Sequence, residues 1–220
     1  MKTIRTPIPA DRRRLLLAAL ALGAMAACGR RAPKAQAVPA GATVLALGDS
    51  LTQGVGADPQ HAYPDVLREL SGWNLVNAGV SGDTSAQALA RLPDLLVEHH
   101  PALVLIGLGG NDFLRQTSAS AAKDNLRAAC RMSLDSGAQV VLIAVPQFSL
   151  LAASTGKLSD HPLYAELASE LEMPLYAGGW SEVLGDARLR SDRVHANAEG
   201  YRQFADGLAR RLRELGLLAR

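Results

Sequence analysis

From residue 43 onward, five short apolar runs alternate with segments of helical period. The runs are residues 43–47, 75–78, 102–108, 140–145 and 174–176. Continuous stretches of Val, Ile, Leu and Ala, without polar alternation, are what strands covered on both faces of a parallel sheet require. Between and after them, residues 62–70, 85–97, 119–134, 162–171 and 198–215 carry apolar side chains at helical spacing. Pro93 is expected to break the second of these helices, because it has no N–H to give and crowds the preceding turn. The last helix puts Tyr201, Phe204, Ala205, Leu208 and Leu212 on one face, with Asn197 as its N-cap. Alternating strands and helices imply a single α/β domain over residues 43–220, with helices on both faces of a parallel sheet.

What precedes residue 43 has a different character. Residues 2–14 are cationic and residues 15–27 are a run rich in Leu and Ala, too short to span a bilayer comfortably. Residues 1–27 therefore read as a signal peptide. Met25-Ala26-Ala27-Cys28 resembles a bacterial lipobox, with Met25 where leucine is more usual, which would make Cys28 a lipidated first residue and a possible membrane attachment. The alternative is a simple secretory leader with Cys28 incidental. Asp11-Arg12-Arg13-Arg14-Leu15-Leu16 also resembles a twin-arginine export signal, so the export route is left open. Residues 28–42, rich in Ala, Pro and basic side chains, read as a flexible tether. An exported, periplasmic or envelope-anchored protein is the expectation.

Removing the leader and tether changes the charge. The whole chain carries a formal +2, but eight of its 23 basic residues and one of its 21 acidic residues precede position 35, leaving about −5 beyond it. A surface for nucleic acid or another polyanion is not expected. If Cys28 is lipidated, Cys130, the other cysteine, has no partner and reads as a small core residue. The five histidines show no metal-ligand spacing, and the glycines near Gly54 and Gly56 lack the ending of a phosphate-binding loop. Neither a metal nor a cofactor is expected. The protein is read as a monomer or small homo-oligomer.

Chemistry concentrates where the strands end, which in open α/β sheets is where ligands bind. Gly48-Asp49-Ser50-Leu51 follows the first strand and Gly79-Val80-Ser81-Gly82-Asp83-Thr84 the second. Gly109-Gly110-Asn111-Asp112 follows the third, and Asp192-Arg193-Val194-His195 closes a longer loop after the fifth. Together they contain what acyl transfer needs. Ser50, on a glycine-flanked strand-to-helix turn, suits a nucleophile. The backbone N–H groups of Ser50 and Gly82 and the side-chain amide of Asn111 are candidate oxyanion donors, with glycine at 82 so that no Cβ obstructs the approach. Asp192 and His195, three residues apart, can pair so that the carboxylate holds one ring nitrogen while the other faces the serine. Asp49 and Asp112 read as loop-ordering carboxylates.

These four blocks, in this order and spacing, resemble the SGNH (GDSL) hydrolase family over essentially all of residues 43–220. Residues 76–85 and Leu89-Ala90-Arg91-Leu92-Pro93 look most like its bacterial thioesterase/lysophospholipase/arylesterase subgroup. The resemblance implies a three-layer, flavodoxin-like α/β/α fold whose five-stranded parallel sheet runs in the order 2-1-3-4-5. It also implies no cofactor, signature residues Ser50, Gly82, Asn111 and His195, and Asp192 completing a triad. Ala196 departs from the family, which usually has proline there.

The expected activity is hydrolysis of small acyl esters, with thioesters and lysophospholipids as further substrates. Two rivals stay open: a glycan O-acetylesterase, and a non-catalytic envelope lipoprotein that binds a ligand in the same fold. The apolar stretch 148–153 reads as a candidate wall for an acyl chain or as packing against a neighbouring helix.

Overall fold

The computed structural model describes residues 35–147 and 158–219. The leader, Cys28 and the apolar stretch 148–153 lie outside the described residues. Strands β1 (Thr43–Gly48), β2 (Asn74–Gly79), β3 (Leu103–Gly107), β4 (Gln139–Ile143) and β5 (Leu175–Tyr176) form one parallel sheet in the order β2-β1-β3-β4-β5. In register, Leu47 of β1 stands between Ala78 of β2 and Ile106 of β3. The central strands are sealed on both faces: Leu45, Leu47, Val104, Leu105 and Val141 are all fully buried. That burial is why their sequences run apolar without alternation.

Eight α-helices are described: α1 (Ser50–Gln53), α2 (Tyr63–Ser71), α3 (Ser85–His99), α4 (Gly110–Leu114), α5 (Ala119–Asp135), α6 (Leu163–Glu170), α7 (Gly179–Gly185) and α8 (Ala198–Glu214). The chain moves from β1 outward to β2, then reverses to reach β3 on the far side of β1. With right-handed crossovers, that reversal puts α2 on one face and α3, α5 and α6 on the other. The packing agrees: α2 meets α8, α8 meets α7, α3 meets α5, and α5 meets α6. The first face is consolidated by aromatics, with Trp180 of α7 stacked on Phe204 of α8 at 3.7 Å between ring centroids and Tyr63 of α2 edge-on to both. The reversal point lies at the end of β1, where such sheets open a crevice.

Three expectations are corrected. Pro93 does not break α3, which runs unbroken from Ser85 to His99. An interior proline costs about 3 kcal/mol, but burial of Leu92 and Leu96 contributes about 1.5–3 kcal/mol each, and Thr84 and Gln87 form a capping box at the start. The stretch between β5 and Asp192 is not simply a long loop, since α7 buries Trp180, Val183 and Leu184 within it. The described part of the 28–42 tether is docked. Val38 is buried, its N–H donates to the Leu217 carbonyl at 2.8 Å, and its own carbonyl accepts from the Trp73 indole at 3.1 Å. Gln36 and Gln139 bond reciprocally beside it.

Gly79, the last residue of β2, shows how tightly the sheet edge is built. A Cβ there would lie 2.2 Å from the Gln53 nitrogen and 2.8 Å from the Asp49 carbonyl, both backbone atoms of the turn carrying Ser50. Backbone cannot swing aside as a side chain can. Gly79→Ala is expected to destabilise the protein by about 3 kcal/mol, lowering Tm by about 6–12 °C. Thermal unfolding of the purified variant checks this; an unchanged Tm would mean that the turn yields freely.

Candidate active site

Ser50 is the first residue of α1, a helix too short to be stable alone. It is held by its ends: Asp49 Oδ1 accepts the Leu51 N–H at 3.0 Å, and Gly54 closes the helix in the left-handed region at φ 97°. The Ser50 hydroxyl is thereby presented from a rigid turn, 3.0 Å from His195 Nε2. His195 Nδ1 lies 2.7 Å from Asp192 Oδ2, and Asp192 Oδ1 accepts the N–H groups of Val194 and His195, both at 2.8 Å. A carboxylate, an imidazole and a hydroxyl thus stand in one continuous chain of hydrogen bonds, although Ser50 and His195 are 145 residues apart.

The loop bearing the imidazole does not depend on a proline at 196. Ser191 N–H donates to the His195 carbonyl at 3.0 Å, and Asn197 N–H to the Leu189 carbonyl at 2.9 Å. Asn197 then caps α8 by accepting from the Gly200 N–H, as expected from the sequence. Ala196 is fully buried within this small ladder.

Electrostatics separates the two carboxyls near the serine. For Asp192, partial desolvation opposes ionisation. The bonds from His195 and from the Val194 and His195 N–H groups outweigh it and hold the carboxyl below its usual range. Asp49 is the reverse case. Burial pushes it up to about 6, against the opposing pull of the Leu51 N–H and the His195 charge. Its folded pKa lies above its unfolded one, so Asp49 favours the native state below about pH 4 and that contribution fades as pH rises through 6. Asp192 acts with the opposite sign, favouring the native state above the ordinary carboxylate range and losing that contribution on acidification.

Beside Ser50 lies a shallow cleft of about 160 Å³. Ser50, Gly82, Asn111 and His195 line it, together with the apolar side chains of Leu51, Leu114 and Val194. The backbone N–H groups of Ser50 and Gly82 have no hydrogen-bond acceptor among the described residues. Gly82 sits at φ +84°, and an added Cβ would meet nothing closer than Arg115 Nη2 at 3.5 Å. In the protein itself, glycine is therefore required by the left-handed backbone rather than by crowding. The Asn111 amide donates to the Asp83 carbonyl at 2.9 Å, and its other hydrogen faces Asp49 Oδ2 at a longer 3.3 Å. The short bond fixes the amide and the long one is readily exchanged.

All five residues singled out from the sequence, Ser50, Gly82, Asn111, Asp192 and His195, meet at this one edge. Several supporting residues were not foreseen. Arg91 bonds Asp83 Oδ2 at 2.8 Å and also donates to the carbonyls of Gly48 and Ala78, at the ends of β1 and β2. Arg115 Nη2 donates to the Gly82 carbonyl at 2.8 Å. Arg91 lies within the quoted Leu89–Pro93 segment, so a signal existed; Arg115 left none. His161, which looked isolated in the sequence, stacks on Phe113 at 4.3 Å, and burial lowers its pKa.

Residues 46–203, which contain all five site residues, match the model of the GDSL-like lipase/acylhydrolase family. The chain belongs to this family. Its relatives include thioesterase 1/protease 1/lysophospholipase L1 of Escherichia coli (strain K12), 35% identical over 179 residues, covering 79% of this chain and 84% of that protein. Among solved structures, that of TesA superposes with a TM-score of 0.69 at 28% identity, covering 79% of this chain and 99% of the other. Psychrotrophic esterase EstA from a Pseudoalteromonas species, inhibited by monoethylphosphonate, gives 0.68 at 26% identity over 78% and 97%. This GDSL-family chain is accordingly a serine ester hydrolase, of the carboxylic ester hydrolase class.

Proposed function

We propose that Ser50 is the nucleophile, His195 the general base and acid, and Asp192 the group that holds the imidazole. Ser50 Oγ attacks the acyl carbonyl carbon while its proton passes to His195 Nε2. The carboxylate of Asp192 accepts Nδ1–H, fixing the tautomer that leaves Nε2 free and stabilising the imidazolium as it forms. The carbonyl oxygen, now an oxyanion, is met by the N–H groups of Ser50 and Gly82 and by the Asn111 amide, which exchanges its long contact with Asp49 for the substrate. The imidazolium returns its proton to the departing alkoxide or thiolate. Water then repeats the sequence on the acyl-Ser50 ester, releasing the acid and restoring the serine. Neither half-reaction needs a cofactor.

The observation that carries this reading is the unbroken run of hydrogen bonds from Asp192 through His195 to Ser50. Leu51, Leu114 and Val194 support short to medium acyl chains as substrate, since an apolar wall suits an acyl group better than a sugar. The relatives named as thioesterase and lysophospholipase extend the proposal to thioesters and lysophospholipids. The leader supports export to the periplasm or envelope, with Cys28 as a lipid anchor, and no described helix is long and apolar enough to cross a membrane.

The test is pre-steady-state hydrolysis of p-nitrophenyl acetate, butyrate and octanoate, beside release of acetate from an acetylated sugar. A burst of about one p-nitrophenol per protein with at least one ester is expected wherever deacylation is the slower half, as covalent catalysis allows. Hydrolysis confined to acetylated sugars, with no turnover of butyrate, would favour the O-acetylesterase instead.

A further inference from the structure

We infer that Asp112 is a positioning residue that sets the geometry of the oxyanion site through Asn111; this rests on the proposed role of Asn111. The two candidate donors outside the serine turn come from different segments, Gly82 from the loop after β2 and Asn111 from α4. Nothing in the covalent chain holds these segments at a fixed separation. Asp112 does so physically. Its side chain is buried, with Oδ2 accepting the Ser85 N–H at 2.8 Å and Oδ1 the Ser85 hydroxyl at 2.6 Å. Asn125 of α5 donates to the same hydroxyl at 3.0 Å, so Ser85 is gripped from two sides. At the other end, the Asp112 carbonyl accepts both the N–H and the hydroxyl of Thr117, at 2.9 and 2.8 Å, closing the turn that carries Asn111.

The consequence follows from chain adjacency. Ser85 lies two residues after Asp83, whose carbonyl orients the Asn111 amide at 2.9 Å. Asp112 is the neighbour of Asn111 itself. One carboxylate therefore holds both the backbone that bears the amide and the carbonyl that aims it. A buried carboxyl with two short bonds to one residue holds that residue in both position and orientation, as a single contact would not. Misplacing a donor weakens its hold on the oxyanion far more than on the neutral carbonyl of bound substrate. Loss of Asp112 should thus appear in kcat and leave KM almost untouched.

The experiment is a double-mutant cycle on p-nitrophenyl ester hydrolysis with the full-length protein. Asn111→Ala alone is expected to lower kcat by about 10²–10³. Asp112→Ala alone should lower kcat by about 10–10² at a KM within about twofold, and Asp112→Asn, which keeps an acceptor for the Ser85 N–H, should recover most of that loss. In the Asn111→Ala background, Asp112→Ala should cost less than about threefold, because the group it positions is gone. Should Asp112→Ala fail to fold, Ser85→Ala replaces it in the same cycle. Because it keeps the Ser85 N–H bond to Asp112, a smaller loss of about three- to tenfold is expected, again only where the Asn111 side chain is present. Equal losses with and without the Asn111 side chain, or an Asp112→Ala enzyme at the wild-type kcat, would overturn the inference while leaving Ser50 as nucleophile. A wild-type protein that turns over no ester removes both readings.

Discussion

Ser50→Ala is expected to lower kcat by about 10⁴–10⁶-fold while leaving the fold and Tm essentially intact. The magnitude follows from what is lost. Without the hydroxyl there is no acyl-enzyme, and the residual rate is that of water attack assisted only by binding and the remaining oxyanion donors. The fold should tolerate the change because, among the described residues, the hydroxyl bonds only to His195, and α1 is held by Asp49 and Gly54 rather than by Ser50. Alanine is also the best helix former at that position. Ser81 lines the same cleft, but His195 Nε2 is bonded to Ser50 and not to it, so it is not expected to take over. His195→Ala should fall in the same range. The double variant should be scarcely worse than either single one, because nucleophile and base act as a unit. Steady-state kinetics on a p-nitrophenyl ester, beside a thermal melt, reads both quantities.

Asp192→Asn should lose about 10⁴-fold in kcat, though it changes hardly any shape. Asp192 Oδ1 is committed to two backbone N–H groups, from Val194 and His195, and these bonds keep an acceptor at that position in the variant. The amide nitrogen then occupies the place of Oδ2 and presents hydrogens to His195 Nδ1. That ring nitrogen must become the acceptor, which moves the proton to Nε2 and points an N–H at Ser50. Such a histidine cannot take the serine proton. The expected signature is a collapse of kcat with little change in KM, and a nitrogen NMR spectrum showing the reversed tautomer. Retained activity would mean that the imidazole is held by something other than Asp192.

The two outcomes differ in how visible they were beforehand. The strands were legible because sealing on both faces leaves a plain apolar run, as in residues 103–107. Their spatial order was not. Nothing in the pattern says that the chain reverses after β2, and the order 2-1-3-4-5 came only through the resemblance to the hydrolase family. Pro93 misled because a local cost was weighed without the burial of Leu92 and Leu96, which tertiary structure supplies. Helix α7 was missed because seven residues bounded by glycines carry too little periodicity to register. The residues proposed to carry the reaction were all legible, since acyl transfer calls for Ser, His, Asp and Asn by type. Those that hold them were mostly not. Arg115 acts on a backbone carbonyl, and Asp112, read only as a loop-ordering carboxylate, grips a serine hydroxyl and N–H from a different segment. Backbone partners leave no trace in a one-dimensional pattern. Docking of residues 35–42 was hidden for the same reason, because Val38 is held by the Trp73 indole and the Leu217 carbonyl.

The measurement that bears most directly on the central claim is the location and rate of phosphonylation. Full-length protein is treated with a fluorophosphonate, digested and mapped by mass spectrometry, beside Ser50→Ala and Asp192→Asn. A single adduct on the peptide containing Ser50 is the expected result, absent from Ser50→Ala and formed far more slowly in Asp192→Asn. An adduct on any other residue, or labelling of Ser50→Ala at the wild-type rate, would contradict the account.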